Sequence, residues 1–180
     1  RIRELQRKTD GFTEIVPLPF VAQEAPMYLK GRARQGPTFR ESVLMHAVAR
    51  IALHGYIDNI QASWVKLGKQ GVTACLNAGV NDLGGTLMNE TITRAAGATH
   101  GQETTPQQMQ QWIDAAGRTA LQRTTLYTEA SVERRTASLV APCLLEAVNT
   151  PARKYERKRQ LELVRLEVDS AEMSQYVVGE

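Results

Sequence analysis

Cysteine is scarce in this chain: Cys75 and Cys143 are the only two among 180 residues. They lie far apart, with neither CxxC nor Cys/His ligand spacing, so a zinc site is not predicted and two buried, reduced thiols are expected. Three further patterns are missing: a Ser/His/Asp or Cys/His catalytic set, a Walker phosphate loop and a GxGxxG dinucleotide loop. The sequence therefore predicts no metal ligands and identifies no catalytic residue.

Long apolar runs are also missing. No stretch approaches the roughly 20 residues that a membrane helix requires, and no secretory signal precedes the first element. We therefore expect a soluble, cytoplasmic protein without a membrane partner. The chain starts Arg-Ile-Arg instead of with Met, and we expect it to be part of a longer polypeptide.

The formal charge of +3 is unevenly distributed. Residues 153–165 hold six Lys/Arg and two Glu, whereas the rest of the chain is close to neutral. Clustered cations can bind phosphates, but a solvated helix face is the commoner reading of such a run. We therefore predict no nucleic-acid partner.

Strand and helix signals alternate along the first two thirds of the chain. Strands are predicted at 13–16, 59–66 and 80–83. One helix is predicted to begin at a capping box of Thr38 and Glu41 and to end at Gly55. A short helix follows at 73–77, and a third begins at Thr105-Pro106, with Gln108 completing its box, and ends at Gly117. Residues 128–139 are compatible with one more helix, and the stretch near Leu161 fits a helix or a strand.

This order predicts an α/β fold with a parallel sheet, because parallel neighbours need a crossover helix. The first helix carries two apolar rows that we expect to cover the sheet: Phe39, Val43, Ala47, Ile51 and Leu44, Val48, Ala52. Met109, Trp112, Ile113 and Ala116 are predicted to form the buried face of the helix after Thr105. Both a barrel and an open sheet satisfy the pattern, and in both a ligand lies beyond the carboxyl ends of the strands.

Polar residues and glycines follow those strand ends. Glu14 within a strand is either a site residue or a charge at a solvent-facing edge. Trp64 and Lys66 are suited to stack on a ring and hold an anion, although Trp64 fits a core equally well. Gly84-Gly85 allows close approach of a ligand or of backbone. The loop that follows is unusually polar and is predicted to bind a ligand; its polar residues are Asn89, Glu90, Arg94, His100 and Gln102.

Five blocks between Gly11 and Tyr127 resemble the C-terminal half of the tyrosine-using module of FO synthase, which is the CofH subunit of prokaryotes or the second half of the fused enzyme FbiC. In order they are GFTEIVPLPF, GRARQGPTFRE, NIQASWVKLG, NDLGGTLMNETITRAAGATHGQE and RTTLY. The resemblance implies a radical S-adenosylmethionine (SAM) enzyme. It also implies the C-terminal half of a partial (β/α) TIM-type barrel over residues 1–127, with a helical or irregular tail over 128–180.

Members of this family transfer a 4-hydroxybenzyl group from L-tyrosine to 5-amino-6-(D-ribitylamino)uracil, on the way to the deazaflavin FO and coenzyme F(420). They use SAM and a [4Fe-4S] cluster held by a CxxxCxxC loop, which this sequence lacks. The resemblance thus implies that the chain alone is inactive. Its expected partners are the missing N-terminal half of the barrel or the CofG-type module.

The resemblance places the following residues on strand ends that face the cavity: Glu14, Ser63, Trp64, Lys66, Gly84, Gly85, Asn89 and Glu90. Arg94 and His100 complete the predicted substrate- or SAM-binding set. Two alternatives remain open at this stage. One is a non-catalytic binding protein derived from the module, and the other is a related radical SAM enzyme of menaquinone or thiamine biosynthesis.

Overall fold

A computed structural model describes residues 1–87, 90–100 and 103–141 of the chain. The strands are β1 (Glu14–Ile15) and β2 (Asn59–Ile60). The helices are α1 (Ile2–Thr9), α2 (Pro26–Leu29), α3 (Phe39–Leu53), α4 (Trp64–Asn77), α5 (Ile92–Ala95), α6 (Pro106–Ala115) and α7 (Val132–Val140). The stretch near Leu161 and the cationic run at 153–165 lie outside the described residues.

The structure confirms three predicted helices, and two of them begin at the predicted capping boxes. Thr38 accepts a hydrogen bond from the Glu41 backbone while the Glu41 carboxylate accepts one from that of Thr38, so the predicted capping box begins α3. Thr105 and Gln108 form the same box at α6. Gly55 and Gly117 adopt positive φ angles of 74° and 69° after these helices, a conformation that glycine adopts without steric cost. The helix expected within 128–139 is α7.

The sheet is parallel, as predicted, but smaller. Glu14 pairs with Asn59 and Ile15 with Ile60, and a single parallel bridge joins Gln61 to Asp82. The strand predicted at 59–66 is therefore wrong beyond Gln61, because α4 begins at Trp64. The strand predicted at 80–83 is reduced to that bridge. The fold is thus mixed, mainly helical with a small parallel sheet.

Helix α4 is longer than predicted. It runs from Trp64 to Asn77 instead of from Thr73, and it kinks at Gly68, whose φ of 62° and ψ of −179° are not helical. Trp64 and Lys66 consequently lie in the first turn of a helix. Their predicted place on a strand end is wrong.

Helix α3 presents a different face to the core than predicted. Its buried side chains are Ser42, His46, Ala49 and Leu53, spaced by four, three and four residues. Ile51, from one of the two predicted apolar rows, is 80% exposed, and the large side chains Phe39, Leu44 and Val48 are exposed as well. Helix α3 packs against α4 and β2, and Val43, from one of the predicted rows, contacts the core from its edge.

The core lies between the sheet, α3, α4 and α6. Ile60, Val72 and Cys75 are fully buried in it, and burying an aliphatic side chain of this size stabilises a fold by roughly 1.5–3 kcal/mol. Of the face predicted for α6, Met109 is buried, and Trp112, Ile113 and Ala116 pack against the core from its edge. None of the described helices is long and apolar enough to cross a membrane.

Candidate functional site

The small sheet has one apolar and one polar face. Because side chains alternate along a strand and paired residues share a side, the register places Glu14, Asn59, Gln61 and Asp82 on the same face. The opposite face carries Ile15 and the fully buried Ile60 and Ala62, which contact the core. The polar face is therefore the part of the sheet that can meet a ligand.

A β-hairpin, residues 122–130, brings a cation and a phenol to this polar face. Its arms are joined by backbone hydrogen bonds from Ala130 N to Gln122 O (2.9 Å) and from Thr124 N to Thr128 O (2.8 Å). Ala130 anchors the second arm because its side chain is buried. The two side chains that reach the sheet are Arg123 and Tyr127.

Arg123 links two carboxylates that come from separate parts of the sheet. Its Nε donates to Oδ2 of Asp82, and its Nη2 lies 3.7 Å from Oε2 of Glu14. The Asp82 side chain is only 7% exposed, whereas those of Arg123 and Glu14 are 31% exposed. The hydrogen bond to Asp82 raises the pKa of Arg123 further above its usual value, so this side chain stays charged.

Tyr127 completes a cluster of four polar side chains, whose other members are Glu14, Asp82 and Arg123. Its hydroxyl donates to Oε2 of Glu14 over 2.6 Å, and its ring centre lies 4.3 Å from the Arg123 guanidinium carbon, within the range of a cation–π contact. Burial, together with the hydrogen bond to Glu14 and its charge, raises the pKa of Tyr127. The phenol is therefore protonated at neutral pH and acts as a donor.

The backbone after Asp82 needs a glycine. Gly84 N donates to Oδ1 of Asp82 over 2.6 Å, and Gly84 has a φ of 71°. A Cβ at this position would lie 2.9 Å from Nε2 of Gln61. The glycine identified in the sequence thus permits a tight turn beside the polar face.

The polar loop after Gly85 is held by hydrogen bonds to α4. Trp64 Nε1 donates to Gly85 O over 3.1 Å, and Lys66 Nζ donates to Thr93 Oγ1 over 3.3 Å. Glu90 accepts from the Thr93 backbone N–H at 2.9 Å and from its hydroxyl at 3.0 Å. Glu90 and Lys66 thus have local structural partners at the start of α5.

The end of this loop packs on the kink of α4. His100 contacts Gly68, where any Cβ would collide with its imidazole. Burial lowers the pKa of His100, so the ring is neutral at pH 7. Arg94, on α5, is buried.

The structure brings only some of the predicted site residues together. Glu14 and Gly84 lie in or beside the cluster, Gly85 follows on the loop, and Ser63 is the N-terminal capping residue of α4. Trp64, Lys66, Glu90, Arg94 and His100 belong to the α4 and loop contacts, with Trp64 in the core. Asn89 and Gln102 lie outside the described residues. The role of each predicted residue in binding stays a prediction.

Three cluster members were not identified from the sequence: Asp82, Arg123 and Tyr127. Asp82 stands directly before Leu83-Gly84-Gly85, so its place at a strand end could have been noticed. Arg123 and Tyr127 are the first and last residues of the RTTLY block, but no local pattern links that block to Glu14.

A metal site is not evident in the described part of the chain, where no three His, Cys, Asp or Glu side chains converge. An iron–sulfur cluster with one open iron needs three thiolates, and the chain has two cysteines. Cys75 is buried in the core, which raises its pKa to about 11, and Cys143 lies outside the described residues. The residues of this chain do not fit such a cluster.

The sequence profile of a known family, the CofH/MqnC C-terminal region, matches residues 9–136. The chain is 56% identical over 126 residues to the FO synthase of Mycobacterium leprae, covering 70% of this chain and 15% of that protein. It is 53% identical over 139 residues to the FO synthase of Nocardia farcinica, covering 77% and 16%.

A shorter relative comes from Methanopyrus kandleri and is named 5-amino-6-(D-ribitylamino)uracil–L-tyrosine 4-hydroxyphenyl transferase. The chain is 52% identical to it over 132 residues, covering 73% of this chain and 36% of that protein. No solved structure shows a significant match. The chain thus spans about a sixth of the FO synthases and about a third of the shorter transferase.

Proposed function

Because the chain belongs to the CofH/MqnC C-terminal region family, we propose that it forms the substrate-facing C-terminal part of the transferase module of FO synthase. The match over residues 9–136, with 52–56% identity to proteins of that activity, carries this proposal. The reaction is the transfer of a 4-hydroxybenzyl group from L-tyrosine to 5-amino-6-(D-ribitylamino)uracil, a step towards the deazaflavin FO and coenzyme F(420).

The parallel sheet supports a place in a (β/α) barrel. In such barrels one sheet face lines the interior and the other packs on the outer helices. Here the apolar face packs on α3, α4 and α6, so the polar face with Glu14 and Asp82 is the interior one. Within the described residues, β1 pairs only with β2, which leaves its other edge for the first half of the barrel, contributed by the remainder of the module.

In this proposal, the [4Fe-4S] cluster and SAM belong to the intact enzyme. When bound there, they supply the radical that activates L-tyrosine; the thiolate ligands come from the remainder of the module because this chain does not fit the cluster. Glu14, Asp82, Arg123 and Tyr127 then orient substrate through charge and hydrogen bonds. The exposed apolar side chains of α3 and the open edge of β1 are the surfaces that we expect this remainder to cover.

Complementation tests the proposal. The chain is co-expressed with the cluster-binding remainder of the transferase module of an FO synthase relative that lacks its own C-terminal region. After anaerobic reconstitution, L-tyrosine, 5-amino-6-(D-ribitylamino)uracil and SAM are added, and the coupled product is detected by mass spectrometry. We expect product only when both polypeptides are present.

Two further samples complete the design. The chain alone, treated with iron and sulfide, should stay colourless and release no 5′-deoxyadenosine. The remainder alone should give no coupled product. If the two folded polypeptides together give none either, the transferase assignment is wrong, and binding of L-tyrosine without product would instead favour a non-catalytic binding protein.

A further inference from the structure

The charges around Arg123 do not balance. Glu14 and Asp82 contribute two negative charges and Arg123 one positive charge, so the cluster carries a net charge of −1 with Tyr127 neutral. Asp82 is fully engaged, since one oxygen accepts from Arg123 and the other from Gly84. Glu14 is therefore the carboxylate with the weaker contact to Arg123, whose Nη2 lies 3.7 Å from its Oε2.

Two polar atoms near each other have spare capacity. Oε2 of Glu14 accepts from Tyr127, while no described residue donates to its Oε1. Arg123 uses Nε for Asp82 and Nη1 for Thr124 O at 3.2 Å. Its Nη2 is 3.7 Å from Glu14, which is too long for a hydrogen bond. An acceptor and a donor thus lie side by side, both on side chains about a third exposed.

We propose that Glu14 and Arg123 form a subsite for the charged end of a free α-amino acid. Glu14 receives the ammonium group and Arg123 Nη2 the carboxylate. An α-amino acid carries these two groups on one carbon atom, so a single ligand gives each side chain a partner of opposite charge. Asp82 holds the guanidinium from the buried side, and the Tyr127 ring supports its flat face.

The inference rests on the proposed function, in which L-tyrosine is the amino-acid substrate. It goes further by naming the residues that bind each end of the molecule. Because all of them lie in the described part of this chain, the full 180-residue chain should bind the ligand without its partner, although weakly. The binding can therefore be tested separately from catalysis.

Three probes separate the two contacts: L-tyrosine, tyramine, which lacks the carboxylate, and 3-(4-hydroxyphenyl)propanoate, which lacks the ammonium group. Binding of each to the full chain is measured by ligand-observed NMR titration. Charge-assisted hydrogen bonds of this kind change affinity by about tenfold or more. L-tyrosine should bind at least tenfold more tightly than either single-charge analogue.

Two conservative variants then assign the groups. Glu14→Gln keeps the acceptor for Tyr127 and should weaken L-tyrosine and tyramine about tenfold while leaving the propanoate unchanged. Arg123→Lys keeps a cation for Asp82 but removes Nη2, so it should weaken L-tyrosine and the propanoate and spare tyramine. Glu129→Gln is the matched control, since Glu129 is on the same hairpin but pairs with Arg135; it should change none of the three.

The assignment is overturned if either variant weakens all three probes equally, or if the folded chain binds none of them. Complementation distinguishes this outcome from failure of the proposed function. Product formation with unchanged dependence on L-tyrosine in Glu14→Gln would keep the transferase and remove this subsite. Selective loss of binding without any product would keep the subsite and reject the transferase.

Discussion

Replacing Arg123 with Met should destabilise the fold by about 2–4 kcal/mol. The variant leaves Asp82, with a side chain only 7% exposed, without its cation. Removing one partner of a buried ion pair costs about 3–5 kcal/mol, and hydrogen bonds to charged groups are worth about 1.5–3 kcal/mol. We expect the lower part of this range for two reasons. Arg123 is partly exposed to water, and Asp82 still accepts a hydrogen bond from the Gly84 N–H in the variant.

The measurement is urea denaturation followed by far-UV circular dichroism, with the slope checked to be unchanged so that the midpoints report stability. The double variant Arg123→Met/Asp82→Asn removes the unpaired charge as well. It should recover about half of the loss, because the cost of an uncompensated buried charge disappears. Arg135→Met is the matched control, as its partner Glu129 is 55% exposed, and it should cost less than about 1 kcal/mol.

Two results would refute this reasoning. One is a loss for Arg123→Met no larger than that for Arg135→Met, which would mean that Asp82 is solvated or paired otherwise. The other is a loss of stability in the double variant equal to the sum of the losses in Arg123→Met and Asp82→Asn measured singly, because independent sites add and a coupled pair does not.

Three other predictions concern the rest of the fold. Burial raises the pKa of Cys75 from 9.0 to about 11. Between these two pH values the thiol ionises in the unfolded chain but stays neutral in the folded one. The free energy of unfolding should therefore fall by about 2–3 kcal/mol from pH 9 to pH 11. Parallel denaturation of Cys75→Ala, which should lack this fall, checks it. Gly68→Ala should lower the free energy of unfolding by about 1–3 kcal/mol because of the positive φ, and further because the new Cβ collides with His100. In a His100→Ala background the collision disappears and only the cost of the positive φ remains. If Gly68→Ala then has no effect on stability, the strain argument is wrong. Arg50→Met should cost about 2–3 kcal/mol, since Arg50 donates to Gly79 O, Asp58 O and Asn81 Oδ1 at 2.6–2.8 Å, and NMR titration should show unchanged L-tyrosine affinity.

Local signals predicted local structure well. The boxes at Thr38 and Thr105 and the glycines at 55 and 117 each act within a few residues, and each was found where the sequence placed it. Strand extent was predicted less well, because a run such as NIQASWVK is compatible with a strand or a helix until pairing partners decide. Only Asn59, Ile60 and Gln61 of this run pair in the sheet, and α4 begins at Trp64.

The buried face of α3 shows why periodicity alone was insufficient. Two apolar rows suggested the inward face, yet Ser42, His46 and Ala49 face inward while Ile51 is 80% exposed. The inward face is the one that meets α4 and β2, and the period of the apolar residues does not show where those elements lie. The apolar residues left outside are consistent with the proposed need for the remainder of the barrel.

By itself, the amino-acid order determined the capped starts of α3 and α6, the presence of a parallel sheet and the family resemblance, because each depends on neighbouring residues or on motifs in sequence. Only the tertiary structure decided which side chains surround Glu14. Tyr127 reaches it from 113 positions away, and Arg123 meets Asp82 from 41 positions away. Contacts across such separations arise when the sheet and the hairpin pack together, and no local pattern of residues encodes them.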